Sequence, residues 1–210
     1  MAADKEDGII DFSAQYPLER GWIHIAKGAV LVLFGVLIIP LFMLYGYILR
    51  VISAAAQDED LPPIRDFVDL FVEGIKFFLV IIPYTVVIYV FIAGSIMVGI
   101  ESQASTVILG GLYILAAYIG IMLVSTYAVT RDWRAAYSID TLYRRTFNTD
   151  YLRLWLMFIV FYLLLYIAVI VITLISAITI IGPFIVLFAG SFYILLGISA
   201  FMGRMYAEAP

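Results

Sequence analysis

Five long apolar runs separated by polar stretches organise the chain: Trp22 to Leu49, Phe77 to Ile100, Val107 to Val129, Leu154 to Ala177 and Phe184 to Met202. A helix needs about 20 apolar residues to cross a bilayer, and each run is of that order. The last four hold no charged residue within their limits, as hydrocarbon demands when a central Arg, Lys or Asp costs about 2.5–3.5 kcal/mol. The first run is the longest, with His24 and Lys27 near its start and Pro40 inside it. As one helix it would measure about 42 Å, enough for a tilted span that puts the N-terminal tail on the far side. A re-entrant hairpin turning near Gly35 to Pro40 is the alternative, and its turn would need protein or water around it. The single span is the favoured reading, with Pro40 as a kink.

The polar connections carry their own periodicity. Residues 62–76, PPIRDFVDLFVEGIK, place Ile64, Phe67, Val68, Phe71, Val72 and Ile75 at three- and four-residue steps, which predicts an amphipathic interfacial helix that lies in the membrane plane or packs under the bundle before turning into the second span. Pro62 and Pro63 suit its start. Residues 131–153 repeat the pattern more weakly, with Ala136, Ile139, Tyr143 and Phe147 on one face and Arg134, Ser138, Thr141 and Arg145 on the other. The turn Asn148-Thr149-Asp150 suits capping of the fourth run. The fold class that follows is all-α: a polytopic transmembrane helical bundle with a polar tail (1–21), a membrane domain (22–203) and a short C-terminal tail (204–210).

Charge assigns a side to each connection. Segment 50–76 has Arg50, Arg65 and Lys76, segment 131–153 has Arg131, Arg134, Arg144, Arg145 and Arg153, and the tail has Arg204, whereas residues 101–106 and 179–183 have no Lys or Arg. The positive-inside bias then puts the long segments and the C-terminus in the cytoplasm and leaves the N-terminal side open. Trp22, Trp133 and Trp155 all fall at run ends, the place of interface anchors. Tyr47 to Arg50 and Tyr127 to Arg131 occupy similar exit positions, so the two halves run alike in geometry. Ser95 with Gly99, Ala116 with Gly120, and Ser199 with Gly203 are small residues four apart that let helices approach closely, within the bundle or between copies and partners.

Composition narrows the function classes. The chain is 65% apolar and 13% charged, with mean hydropathy +1.09, about half the charge of a soluble domain. That excludes a freely soluble globule and, lacking a basic face, a nucleic-acid binder. Cysteine is absent, which removes disulfides, thiolate catalysis and Cys-ligated metals. The chain opens on Asp4, Glu6, Asp7 and Asp11 against Lys5, so no secretory signal is expected. The net charge of −4 and pI near 4.9 suit a salt-adapted cytoplasm.

Chemistry is sparse. The last four spans contain no Asp, Glu or His for a proton or sodium relay. Glu101 sits at an outer end, and His24, the single histidine, lies beside Trp22. Asp66 and Asp69 form D-x-x-D without the glycines of a phosphatidyl-transferase motif. No catalytic, cofactor or metal residue is expected, and no cofactor is implied. The expected function is a non-enzymatic scaffold, assembly or membrane-organising protein. One alternative is a transporter or channel for a neutral or lipidic solute, lined by Tyr84, Tyr89, Tyr113, Tyr118, Tyr162, Tyr166 and Tyr193 with Thr85, Thr126 and Thr173. Another is anionic headgroup binding by Arg131, Arg134, Arg144, Arg145 and Arg153.

The chain also resembles a family of small multipass prokaryotic membrane proteins frequent in archaea, the domain-of-unknown-function family numbered 4013. The residues that carry this are Tyr16-Pro17, Gly46-Tyr47-Ile48-Leu49-Arg50, Leu61-Pro62, Asp66 to Lys76 (DFVDLFVEGIK), Ala136 to Leu152 (AYSIDTLYRRTFNTDYL) and Ile181-Gly182-Pro183-Phe184. The resemblance implies a helical membrane protein and supplies no activity.

Overall fold

A computed structural model describes residues 2–97, 103–179 and 181–209, and among these the chain is helical with no strand. The helices are α1 (Ala2–Gln15), α2 (Gly21–Leu33), α3 (Ile38–Ala56), α4 (Phe67–Met97), α5 (Gln103–Thr130), α6 (Trp133–Ala136), α7 (Ile139–Thr146), α8 (Thr149–Ser176) and α9 (Gly182–Glu208). Five of them, α3, α4, α5, α8 and α9, are long and apolar enough to cross a membrane. The pair Ser95 and Gly99 reaches outside the described residues, as does Glu101.

The first apolar run is not one span. It breaks into α2 and α3 through a 3-10 turn at Phe34–Val36, with Leu37 extended at ψ 142°. The two helices run antiparallel: His24 near the start of α2 meets Tyr47 midway along α3, and Arg20 just before α2 meets Leu61 beyond the end of α3. Pro40, read from sequence as a mid-span kink, stands in the first turn of α3, where its missing N–H costs no hydrogen bond. As a 13-residue helix, α2 is about 20 Å long and too short to span. The run is a helical hairpin that turns at Phe34–Leu37, and its second arm, α3, is itself long enough to cross.

Residues 62–76 do not form a helix of their own. Residues 62–66 are irregular, Asp66 takes the left-handed conformation at φ 58°, and α4 runs from Phe67 without interruption into the apolar run. No breaker separates Lys76 from Phe77, so the first turns simply continue. The expected apolar face is also divided: Leu70 and Gly74 pack on α3, Phe71 and Ile75 are half-buried, and Phe67, Val68 and Val72 are exposed.

Packing is concentrated at one end, the base, where α1, the start of α2, the ends of α3, α5 and α9, and the start of α8 converge. Tyr16, Tyr47, Leu61, Leu70, Phe192 and Leu196 form one part of this core, and Tyr118, Met122, Tyr151, Phe161, Phe201 and Met205 another. Away from the base little of the helix surface is covered. The apolar windows of α3, α9 and α5 are 44%, 39% and 33% buried, those of α8 and α4 only 6% and 0%. The total accessible surface is 12323 Å², whereas a compact soluble chain of 23.5 kDa exposes about 9,800 Å². The difference is apolar surface for which water is the wrong solvent.

Small residues mark the crossings. Gly203 lies on Ile52 and Ala55, Gly190 on Val169, Gly197 on Ser13 and Leu165, and Gly120 against Tyr84, whose hydroxyl donates to the Ala116 carbonyl. Two further glycines, Gly46 and Gly74, bring α3 and α4 into backbone contact.

Candidate functional site

The residues with the most specific chemistry gather at the base, where three separated stretches of sequence meet. The Tyr47 hydroxyl, fully buried on α3, donates to the Pro62 carbonyl at 2.9 Å and lies 2.7 Å from His24 Nε2. A phenol has one proton. With that proton on Pro62, His24 donates through Nε2. Burial holds the His24 imidazole down to about 4 from its usual 6.5, and the nearby charges of Arg20 and Lys27 add to the effect. Around this pair, the Tyr16 hydroxyl donates to the Glu59 carbonyl at 2.9 Å, the Leu61 amide donates to the Glu19 carboxylate at 2.9 Å, and Arg20 donates to the Leu61 carbonyl. Burial raises the Tyr16 phenol above its ordinary range. Residues 59–62 are irregular, and these side chains supply the partners their backbone lacks.

A second polar group sits one turn further along α3. Glu73 of α4 accepts from Arg50 Nε and Nη2 at 3.2 and 3.1 Å through Oε1, and its Oε2 lies 3.4 Å from Arg131 Nη2. Arg50 and Arg131 are the two exit residues that the sequence places in equivalent positions, and they meet on a single carboxylate. Arg131 adopts φ 55° just past the end of α5, which turns its side chain back toward Glu73. Two guanidiniums on one carboxylate leave a net positive charge, and they tie α3, α4 and the end of α5 together.

Tyrosine hydroxyls act as struts between elements. Tyr118 donates to Thr146 O at 2.5 Å, Tyr151 to Tyr118 O at 2.7 Å and Tyr193 to Ala14 O at 2.6 Å. Tyr137, which sequence reasoning passed over, donates to Val80 O at 2.6 Å and accepts from Tyr84 N–H at 3.2 Å. Those are the acceptor and donor of the helical turn that holds Pro83, so one hydroxyl bridges the place where a proline weakens α4. Pro83 inside an apolar run was the available signal. Of the other tyrosines expected to line a solute path, Tyr89, Tyr162 and Tyr166 are exposed, and Tyr113, also exposed, lines an apolar cleft of about 210 Å³ between α4 and α5 beside Tyr84. Thr85 and Thr173 hydrogen-bond carbonyls four residues back in their own helices.

The five arginines of residues 131–153 do not converge. Arg131 pairs with Glu73. Arg134 stacks over Trp133 with its guanidinium 5.5 Å from the ring centroid. Arg144 pairs with Asp140 on an exposed surface at 3.1 Å. Arg145 turns inward, donates to Tyr206 O at 3.1 Å and lies 4.2 Å over the Tyr206 ring. Arg153 is exposed near the start of α8. Adjacent residues of one type therefore have different tasks. Arg145→Gln is expected to lower stability by about 1–2 kcal/mol, through a lost charged hydrogen bond and cation–π contact. Arg144→Gln is expected to stay within about 0.5 kcal/mol of wild type, and thermal unfolding of the two purified variants in one detergent compares them.

Trp22 and Trp133 are exposed at 75% and 58%. Trp155 packs edge-on against Tyr118 at 5.3 Å with its indole N–H buried and unpartnered. It lines a groove of about 540 Å³ together with Ile114, Leu115, Phe147, Asn148 and Leu152. The expected cap is present, Asn148 Oδ1 accepting from Tyr151 N–H at 2.7 Å. Among the described residues no three His, Asp or Glu side chains converge on a metal-sized site.

A family model described as "Protein of unknown function (DUF4013)" matches residues 30–175. No curated protein and no solved structure matches.

Proposed function

Because the chain belongs to the DUF4013 family of proteins of unknown function, its relatives pass on no activity, and we propose from its own geometry that it is a non-enzymatic membrane scaffold. Its packed base faces the cytoplasm, and its arms, α4–α5 and α8–α9, offer apolar surface to other membrane helices. The asymmetry of packing carries this reading. Long apolar helices whose windows are 0% and 6% buried have their remaining faces free for neighbours, and association in lipid proceeds by packing of such faces. Against a solute path stands the commitment of the Tyr84, Tyr118, Tyr151 and Tyr193 hydroxyls to carbonyls of other elements. A hydroxyl already bonded across a helix crossing is not free to receive a solute.

The test places a photo-crosslinking residue at Ile172, exposed on α8, in cells expressing the protein. Discrete adducts with a membrane protein or with a second copy are expected, and adducts with lipid alone would sink the scaffold reading. Proteoliposomes supply the complementary result. Flux of small neutral solutes above that of protein-free vesicles, lost in Tyr84→Phe, would replace scaffold with transporter.

A further inference from the structure

Helix α7 shows three distinct sides. Leu142 and Thr146 turn inward, Thr146 being fully buried with its carbonyl bonded to the Tyr118 hydroxyl. Asp140 and Arg144 form an ion pair on a second side, with side chains 72% and 75% exposed. The third side carries Ile139, Tyr143 and, just beyond the helix, Phe147, which are 84%, 64% and 53% exposed. Tyr143 and Phe147 stack at 5.3 Å. An aliphatic and two aromatic side chains at four-residue steps, all facing outward, make a stripe that water would penalise.

Continuity says what covers the stripe. Phe147 shares its groove with Ile114 and Leu115 of α5 and Leu152 of α8. Those residues belong to the exposed apolar surface of helices long enough to cross a membrane, Leu152 near the start of α8 and Ile114 and Leu115 midway along α5. The stripe is therefore the base-side edge of the lipid-facing surface. Charge fits the same place: Arg144 flanks the stripe, and Trp133 with Arg134 stacked on it stands at the start of the same segment, a pairing suited to the headgroup layer.

We propose that α7 is an in-plane membrane anchor that inserts Ile139, Tyr143 and Phe147 into the acyl boundary of the base-side leaflet while Asp140 and Arg144 stay at the level of water and phosphate. It fixes the depth at which the base sits. The proposal needs only that α5 and α8 cross the membrane, and it stands whether or not the arms recruit partners.

The absence of native cysteine makes single-site labelling clean. Ile139, Asp140, Tyr143 and Arg144 are each replaced by Cys in the full chain, spin-labelled and reconstituted in phosphatidylcholine–phosphatidylglycerol nanodiscs, with Leu163 on α8 as the lipid-facing reference. Collision rates with oxygen, which concentrates in lipid, and with a water-soluble nickel chelate are then compared. The oxygen-to-nickel ratio is expected to be several-fold higher at positions 139 and 143 than at 140 and 144, and close to that at 163. High nickel accessibility at 139 and 143 would place the stripe in water and overturn the proposal. Low collision with both reagents would mean that protein covers it, which overturns the proposal equally. All four positions are exposed, so the labels do not disturb the core.

Discussion

Gly74→Ala is expected to unfold or disperse the bundle, and Gly46→Ala to do nearly as much. A Cβ on Gly74 would overlap the Phe42 carbonyl, with Phe42 Cα only 3.0 Å away, and a Cβ on Gly46 would overlap the Leu70 carbonyl, with Leu70 C at 2.8 Å and Gly74 N at 3.1 Å. The obstacle in each case is backbone, which has no rotamer to change. Overpacking a tight site costs about 1–3 kcal/mol, and more when the backbone must move. The gain from replacing glycine in a helix, about 1 kcal/mol, does not cover that. The same substitution at Gly94, Gly110 or Gly111, where nothing lies within 4 Å, is expected to be neutral or to raise stability by up to about 1 kcal/mol. Thermal midpoints and gel-filtration profiles in one detergent check the contrast. A Gly74→Ala protein as stable and monodisperse as Gly111→Ala would mean that α3 and α4 do not meet here. The double variant is expected to cost less than the sum, since both changes push the same two helices apart.

These glycines show how much of the fold was legible. The apolar runs announced the long helices because hydrocarbon forbids charge and fixes length, constraints that act on each segment alone. What escaped was set between segments. Pro40 reads equally as a kink and as a first-turn residue, and the choice depends on whether His24 and Arg20 find partners at Tyr47 and Leu61. The 62–76 stripe reads as an interfacial helix until Gly74 is seen against Phe42. Local periodicity cannot distinguish a free amphipathic helix from the first turns of a longer one whose Glu73 is turned to Arg50 and Arg131.

The motifs behind the family resemblance were more informative than the periodicity. Gly46, Tyr47 and Arg50 come from one motif, Glu73 and Gly74 from another, and Leu61 and Pro62 from a third. In the folded chain they form one contiguous base with Tyr16, which bonds the Glu59 carbonyl, and with His24, which closes on Tyr47 as a latch between α2 and α3. The arginines of 131–153, grouped by sequence alone as a headgroup site, scatter to Glu73, Trp133, Asp140 and Tyr206. Side-chain direction on a short, irregular segment depends on what it packs against, and periodicity there was weak.

The latch itself predicts a stability that depends on one hydroxyl and one imidazole. Tyr47→Phe keeps the ring stacked on Phe192, whose centroid lies 6.0 Å away, but removes the acceptor for His24 and the donor for Pro62. Each buried polar group left without a partner costs about 1–3 kcal/mol, so a loss of about 2–4 kcal/mol is expected. The pH dependence has a definite sign. His24 binds a proton near pH 6.5 in the unfolded chain and only near pH 4 in the folded one, so between those values the unfolded state holds more protons and acid favours it. Stability contributed by neutral His24 is complete above pH 6.5, falls as the pH drops toward 4, and changes no further below that. Carboxylates titrate in part of this window as well, and His24→Gln separates them, because glutamine can still donate to Tyr47 but takes up no proton. The thermal midpoint of wild type minus that of His24→Gln is expected to fall from pH 6.5 to pH 4 and to be level on either side. A difference that stays flat through the window would put His24 in contact with water and take the latch apart.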